Sequence, residues 1–204
     1  MASSAIVEEV KAICDGGSGT FAYFYFDLKD SSKRDMRSLL SSILVQLSGQ
    51  SDGSWSILSH LYATHRNGSD QPSEAALKKC LQDMLNVEVE GQRPTFIIVD
   101  AVDECPSTPG LPSARAKVLD LVEDLVNSYS DLRICVTSRP EEDIRMVLDP
   151  LTSRNISLHD QKGQTDDIAN FVRFVVHSNE RMRRWRSKDK ELVIDTLIKR
   201  ADGM

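Results

Sequence analysis

Short apolar runs alternate along the chain with longer stretches in which apolar residues recur every three or four positions. The runs are typical of strands buried on both faces, and the recurring spacing is typical of amphipathic helices. The predicted strands are 21–26, 95–99, 132–137 and 155–158. The predicted helices are 3–14, 35–47, 55–63, 73–89, 114–127 and 143–148, with a helical tail over 165–201 that breaks near Ser178 and Ser187. This alternation indicates an α/β fold with a parallel sheet.

Three acidic residues follow the most apolar of these strands. The run FIIV at 96–99 ends on Asp100, and Asp103 and Glu104 come just beyond it. Ligands of open parallel sheets bind outside the carboxyl ends of the strands, and carboxylates there suit Mg²⁺ with its shell of water and phosphate oxygens. The pattern predicts that Asp100 holds Mg²⁺ through water, and that Asp103 or Glu104 positions or deprotonates an attacking water. The alternative is that these acids only cap or solvate a loop.

An arginine follows the next strand of the predicted sheet. The segment Thr137-Ser-Arg139-Pro140 directly succeeds an apolar run, so it falls on the same edge of the sheet as the acids. An arginine there can reach a γ-phosphate and stabilise the charge that is transferred. The alternative is an ordinary exposed arginine in a turn that Pro140 fixes.

The glycine-rich segment at 16–20 (GGSGT) invites comparison with a phosphate-binding loop. Such a loop has the pattern G-x-x-x-x-G-K-[ST], follows a strand and opens a helix. Here the glycines follow a predicted helix, precede a strand and include no lysine, and the pattern occurs nowhere in the 204 residues. We therefore interpret the segment as the end of a helix.

Composition narrows the class of protein. Apolar residues make up 40% and charged residues 27%, which is ordinary for a globular protein, and the net charge of −6 disfavours a general nucleic-acid binder. No apolar run approaches the ~20 residues that span a bilayer. The cysteines have neither zinc-binding nor disulfide-framework spacing, so reduced thiols and a cytoplasmic location are expected. They are Cys14, Cys80, Cys105 and Cys135.

One cluster of basic residues stands out against this acidic background. It surrounds Trp185 and contains Arg181, Arg183, Arg184, Arg186, Lys188 and Lys190. The commoner meaning of such a cluster is a solvated helix face whose tryptophan is anchored in the core. The alternative is a surface for nucleic acid, a phosphorylated partner or an import receptor.

Several segments, taken together, resemble one known family. They are FAYFYFD at 21–27, LLSSILVQL at 39–47, IIVDAVDECP at 97–106 and RICVTSRP at 133–140, and ISLHD at 156–160 and KRADGM at 199–204 fit the same pattern. The chain resembles the NACHT-type nucleotide-binding domains of fungal NOD-like receptors, which are also described as nephrocystin-3-like N-terminal domains.

The resemblance implies a P-loop NTPase fold of the STAND signalling class, a three-layer α/β structure around a parallel sheet. Such proteins bind ATP or GTP with Mg²⁺, switch from a closed to an oligomerising state, and usually carry an effector and ankyrin, WD40 or TPR repeats. By match, Asp100 takes the Walker B role, Asp103 and Glu104 are the adjoining acidic pair, and Arg139 is the sensor. Residues 1–160 are expected to form a partial nucleotide-binding core, and 161–204 the start of a helical extension.

The chain departs from this family at its beginning. In the family a strand and the Walker A loop precede the helix that begins here at Ser3, so the sequence resembles a core truncated just after that loop. The missing strand would lie between the strands at 95–99 and 132–137, which must then pair directly or leave a poorly stable domain. We expect a nucleotide switch that is not catalytic alone. The alternative is a non-catalytic module that associates with full-length relatives. Protein partners or self-association are expected in the full-length context, and neither a membrane nor nucleic acid is.

Overall fold

A parallel sheet of three strands forms the centre of the chain. The computed structural model describes residues 2–87, 93–107, 112–157 and 162–201. The strands β1 (Thr20–Tyr25), β2 (Thr95–Asp100) and β3 (Leu132–Val136) lie in the order β1-β2-β3. The predicted α/β fold with a parallel sheet is therefore confirmed. β2 and β3 pair directly, with Val99 opposite Val136, which is the first of the two outcomes that the sequence allowed.

Most helices lie where the hydrophobic periodicity predicts them. They are α1 (Ala2–Ile13), α2 (Met36–Ser48), α3 (Asp52–Thr64), α4 (Glu74–Leu85), α5 (Ala114–Ser128), α6 (Glu142–Leu148), α7 (Lys162–Ser178) and α8 (Ser187–Ala201). Helices α2 to α5 start at side-chain caps, because Asp35, Ser51, Ser73 and Ser113 each accept the N–H three residues further on. None of the described helices combines the length and the apolar character that a membrane span requires.

Apolar side chains cover the sheet on both faces. On one face Ala22, Phe24, Ile97 and Val99 join a large core with the inner sides of α2, α4 and α5. On the other face Phe21 and Ile98 pack under Val7 of α1. Successive residues of a strand point to opposite faces, so the near-continuous apolar runs of β1 and β2 are what two covered faces require.

The glycine-rich segment ends α1, as predicted. Residues Cys14–Ser18 form a last wide turn in which Gly17 adopts a left-handed backbone with φ of 78°. A Cβ on Gly19 would lie 2.6 Å from the carbonyl oxygen of Pro94, so only glycine fits where the chain enters the sheet. The segment therefore sits at the amino ends of the strands, away from the acidic residues.

The predicted fourth strand is wrong for residues 155–157, which adopt no regular structure, while 158–161 lie outside the described residues. Ile156 is 70% exposed, and a strand needs a paired neighbour and a buried face. The motif residues His159 and Asp160, and 202–204, also lie outside the described residues.

The chain divides into two compact units, Met1–Thr152 and Ser153–Met204. In the second unit α7 and α8 pack against each other, with Val176 and Ile194 buried. As predicted, the helical tail breaks at Ser178 and resumes at Ser187. The cluster at 181–186 therefore lies on the connection between these helices, and Trp185 is 43% exposed. Lys188 and Lys190 of the same cluster lie in the first turn of α8, so the cluster is not one helix face, and the expectation that Trp185 is anchored in the core is wrong.

Candidate functional site

The carboxyl ends of β2 and β3 are joined through Thr137. Its hydroxyl donates a hydrogen bond to Oδ1 of Asp100, and its Oγ1 accepts the N–H of Ala101 at 3.1 Å. Its backbone N–H donates to Val99 O at 3.0 Å, and its carbonyl oxygen accepts the N–H of Val102 at 3.1 Å. Asp100 is therefore held at the strand end with one carboxylate oxygen oriented by a neighbour.

Ala101 turns the chain away from the sheet in a conformation that is uncommon for alanine. Its φ of 55° and ψ of 48° are left-handed, which costs a residue with a Cβ about 1 kcal/mol. The strain places the short 3₁₀ turn Val102–Glu104 across the end of the sheet and buries Val102 completely. Backbone strain of this kind is characteristic of sites where position matters more than stability.

Asp103 and Arg139, which the sequence assigned to the same edge, are in contact. The backbone N–H of Arg139 donates to Oδ1 of Asp103 at 3.0 Å, and the guanidinium Nε lies 3.5 Å from Oδ2. The carboxylate side chain is only 8% exposed, whereas that of Arg139 is 81% exposed. The arginine therefore covers a buried acid while its own side chain remains largely exposed to water.

Glu104 is engaged elsewhere. Its Oε2 accepts the N–H of Leu28, which follows β1, at 3.1 Å. Asp100 and Asp103 both contact the segment after β3, at Thr137 and Arg139 respectively, and Glu104 contacts the loop after β1. The acidic turn Val102–Glu104 therefore binds the three strand ends together.

Asp100 is the carboxylate at the end of β2 to which a water-coordinated Mg²⁺ would bind if this edge holds one. Within the described residues, no three His, Cys, Asp or Glu side chains converge as a metal site. The glycine-rich segment cannot bind a phosphate at Asp100 with its backbone N–H groups. The glycines at 16–19 lie at the opposite end of β1, roughly 17 Å away at 3.3 Å per residue. They provide no cradle for a nucleotide at Asp100.

Arg115 on α5 holds the acidic turn by hydrogen bonds to its backbone. The sequence analysis did not predict a role for this residue. Its side chain is 7% exposed; Nε donates to Cys105 O at 3.0 Å and Nη2 to Asp103 O at 2.6 Å. Nη1 donates to Glu141 and to Asp143 Oδ2, the latter at 3.1 Å. Burial by itself would lower the pKa of Arg115, but hydrogen bonds to both carboxylates outweigh burial and raise this pKa.

A signal for Arg115 was present in the sequence. It precedes Val118, Leu119 and Val122 by three, four and seven positions, so it lies on the inner face of the amphipathic helix. A charged residue at a core-facing position needs partners. The partners themselves come from two distant loops, which no local pattern identifies.

These groups border a surface depression of about 450 Å³. Four carboxylates line it, those of Asp103, Glu104, Glu141 and Asp143, together with Leu28, Pro106 and the single cation Arg115. An anionic phosphate approaching this edge would be repelled unless a cation arrived with it. The electrostatics therefore favour a cation, or an anion accompanied by a metal ion, over a free anion.

The comparisons with known proteins identify a family. The family model described as nephrocystin 3, N-terminal, matches residues 1–139, which includes all three strands and extends to Arg139. No curated protein matches the chain, and no solved structure does. The match covers more than half of the 204 residues. The chain therefore belongs to the nephrocystin 3 N-terminal family.

Proposed function

We propose that the chain is part of a nucleotide-dependent signalling switch of the STAND NACHT type, one that does not hydrolyse nucleotide by itself. The observation that carries the proposal is the joining of β2 and β3 at their carboxyl ends: Asp100 is oriented by Thr137, and Arg139 contacts Asp103. In this proposal the carboxylate for the cation and the exposed arginine for the phosphate follow neighbouring strands, at the edge where such sheets bind ligands.

Each residue has a defined part in this switch. Asp100 offers its second carboxylate oxygen to the water shell of Mg²⁺, while Thr137 keeps the first oxygen oriented. When bound, Mg²⁺ supplies the positive charge that lets phosphate oxygens approach this acidic edge. Arg139 can leave Asp103 and donate to a γ-phosphate, because its guanidinium is exposed and its backbone N–H can still hold the carboxylate.

The engagement of the other two acids supports a switch without catalysis. A general base needs a carboxylate oxygen within hydrogen-bond reach of the attacking water. The carboxylate of Asp103 is buried under Arg139, and Oε2 of Glu104 accepts a backbone N–H. The sequence also contains no Walker A pattern, so positioning of a nucleotide for attack would require groups from elsewhere.

Calorimetric titration of the purified chain with Mg²⁺ and a non-hydrolysable ATP or GTP analogue tests this proposal. We expect saturable heat that disappears without Mg²⁺ and in Asp100→Asn. The matched control is Asp131→Asn, which removes the same charge from an exposed aspartate at the amino end of β3. Absence of heat at millimolar analogue, or equal loss in both variants, would refute the nucleotide site.

A second function, a non-catalytic protein-interaction module, is favoured by a difference between the two outer strands of the sheet: the outward backbone groups of β1 are hydrogen-bonded, and those of β3 are not. On the β1 edge, Gln46 and Gln50 of α2 donate to and accept from the outward backbone groups of Tyr23 and Phe21, at 2.6–3.1 Å. On the β3 edge, the N–H and C=O groups of Ile134 and Val136 point away from β2 and make no hydrogen bond to any described residue. An edge strand of this kind can accept a strand from another chain.

A proline tests the second function without disturbing the sheet. Val136→Pro removes an N–H that points outward, so the bonds between β2 and β3 remain. We expect this variant to lose association with a longer family member that carries the Walker A loop, measured by analytical ultracentrifugation. Unchanged association, or association equally weakened by Gln46→Ala on the other edge, would contradict strand addition at β3.

A further inference from the structure

Positive charge is concentrated on the connection between α7 and α8 and on the first turn of α8. Residues 181–190, which we call the basic turn, contain six basic side chains and one acidic one. The side-chain oxygen of Asn179 accepts the N–H of Arg181 at 2.9 Å, and the N–H of Trp185 donates to Met182 O at 3.0 Å. These bonds fix the backbone, so the arginines project from a defined scaffold and not from a flexible tail.

The charges of the basic turn are not neutralised within the described residues. None of its six basic side chains forms an ion pair there, and all except Lys190 are exposed. Six like charges within ten residues repel one another, which disfavours this turn in isolation. A bound anion would remove that repulsion.

Apolar surface accompanies the charge. Trp185 lies at the centre of the basic turn and is 43% exposed, and Phe174, in the last turn of α7, is 70% exposed. Tryptophan and arginine are the residue types that most often dominate the energy of protein–protein contacts. An exposed tryptophan between arginines in the sequence therefore fits contact with a protein better than a purely electrostatic role.

We propose that the basic turn binds an acidic peptide segment of a protein partner. The arginines would form paired hydrogen bonds with glutamate or aspartate carboxylates, and Trp185 would pack against an apolar side chain between them. The residues of this site belong to the second unit, whereas those of the proposed nucleotide site belong to the first.

The distribution of charge selects a short acidic segment over a long polyanion. Residues 1–152 carry 23 acidic and 14 basic residues, a net charge of −9, whereas residues 153–204 have a net charge of +3. A long nucleic acid responds to the charge of the whole chain, which is −6 and repels a polyanion, so the local attraction of the turn is offset. A peptide of a few residues contacts the turn alone.

Fluorescence anisotropy with a labelled glutamate-rich peptide that contains one central leucine tests the proposal on the full chain. We expect saturable binding that weakens with salt, and no binding of the same peptide with glutamine in place of glutamate. Arg183→Gln/Arg184→Gln/Arg186→Gln should weaken binding about tenfold or more. Its control is Lys29→Gln/Arg66→Gln/Arg145→Gln, which removes the same charge from exposed residues of the first unit and should bind as the unchanged chain does.

Two further variants separate a defined site from diffuse attraction. Trp185→Ala changes no charge and should weaken binding about tenfold, whereas Trp55→Ala, at a tryptophan that is 61% exposed on α3, should not change it. Circular dichroism confirms that each variant remains folded. Equal binding by the triple variant and its control, no effect of Trp185→Ala, or tighter binding of a single-stranded oligonucleotide of the same charge would overturn the proposal.

Discussion

Removing the guanidinium of Arg115 should release the acidic turn from the loop that follows β3. Arg115→Met keeps the apolar stem of the side chain but loses its hydrogen bonds to the carbonyl oxygens of Cys105 and Asp103 and its ion pairs with Glu141 and Asp143. The two carbonyl bonds come from a buried cation, whereas the two carboxylates are 43% and 46% exposed. The two hydrogen bonds to carbonyl oxygens should therefore contribute more to stability than the two ion pairs.

The magnitude follows from that difference. Hydrogen bonds to a charged group contribute about 1.5–3 kcal/mol each, and ion pairs with half-exposed partners at most about 1 kcal/mol each. Because the surface depression admits water to the released groups, part of this is recovered. We expect Arg115→Met to lower the free energy of unfolding by about 3 kcal/mol, and Arg115→Lys by about half of that because lysine keeps the charge but cannot reach all four partners.

Urea denaturation followed by circular dichroism measures this change, with Arg34→Met as the control. Arg34 is an exposed arginine whose substitution should change stability by no more than about 0.5 kcal/mol. Hydrogen exchange adds a local readout: residues 102–107 and 139–143 should exchange faster in Arg115→Met while β1 does not. A loss below about 1 kcal/mol, or exchange that rises equally in β1, would refute the view that Arg115 pins these two loops.

Three other substitutions test separate features of the first unit. Ala101→Gly should raise the free energy of unfolding by up to about 1 kcal/mol, because glycine adopts the left-handed backbone without strain; a loss in urea denaturation would contradict this. Gln46→Ala/Gln50→Ala should lower it by about 1–2 kcal/mol and promote self-association seen by light scattering, because the β1 edge loses its caps; a monomer of unchanged stability would contradict this. Burial raises the pKa of Cys80 to about 11 and that of Cys105 to about 12, so the native thiols stay protonated after the unfolded thiols begin to ionise near 9.0. The stabilisation from these protonated thiols is therefore complete below pH 9, and above pH 9 the free energy of unfolding falls by up to about 1.4 kcal/mol per pH unit for each thiol. In Cys80→Ala/Cys105→Ala, the free energy of unfolding measured by urea denaturation should fall less steeply as the pH is raised above 9.

The order of elements could be predicted because each depends on local pattern. The apolar run before Asp100 and the spacing in α2 specify a buried strand and an amphipathic helix without reference to any other residue. The edge shared by Asp100 and Arg139 also followed, since parallel strands bring their carboxyl ends together. The segment at 155–157 failed for the opposite reason: Ile156 would need a neighbouring strand, and pattern alone cannot show whether one is available.

The partners of the acids could not be predicted from sequence. Which group Asp103 or Glu104 faces depends on how three loops meet, and the hydrogen bond from Leu28 to Glu104 joins residues 76 positions apart. The spacing of Gln46 and Gln50 by four places both amides on one side of α2, but only the structure shows that they reach the edge of β1. Local rules fix the scaffold, and tertiary packing decides which polar groups remain available for a ligand.

The geometry gives the proposed switch an energetic link between phosphate and loop conformation. The guanidinium of Arg139 lies against the carboxylate of Asp103, so a guanidinium that moved to a γ-phosphate would give up that ion pair. If the side chain of Arg139 moved away, the backbone N–H of Arg139 would be the remaining contact between Asp103 and the loop after β3. The side chain of Asp103 is only 8% exposed. A buried carboxylate that loses its ion pair is destabilised, so the loop must shift to hydrate it or supply another donor. Phosphate binding and rearrangement of the loop after β3 would therefore be coupled through one side chain, and Arg115 would transmit the shift to the start of α6 through Glu141 and Asp143.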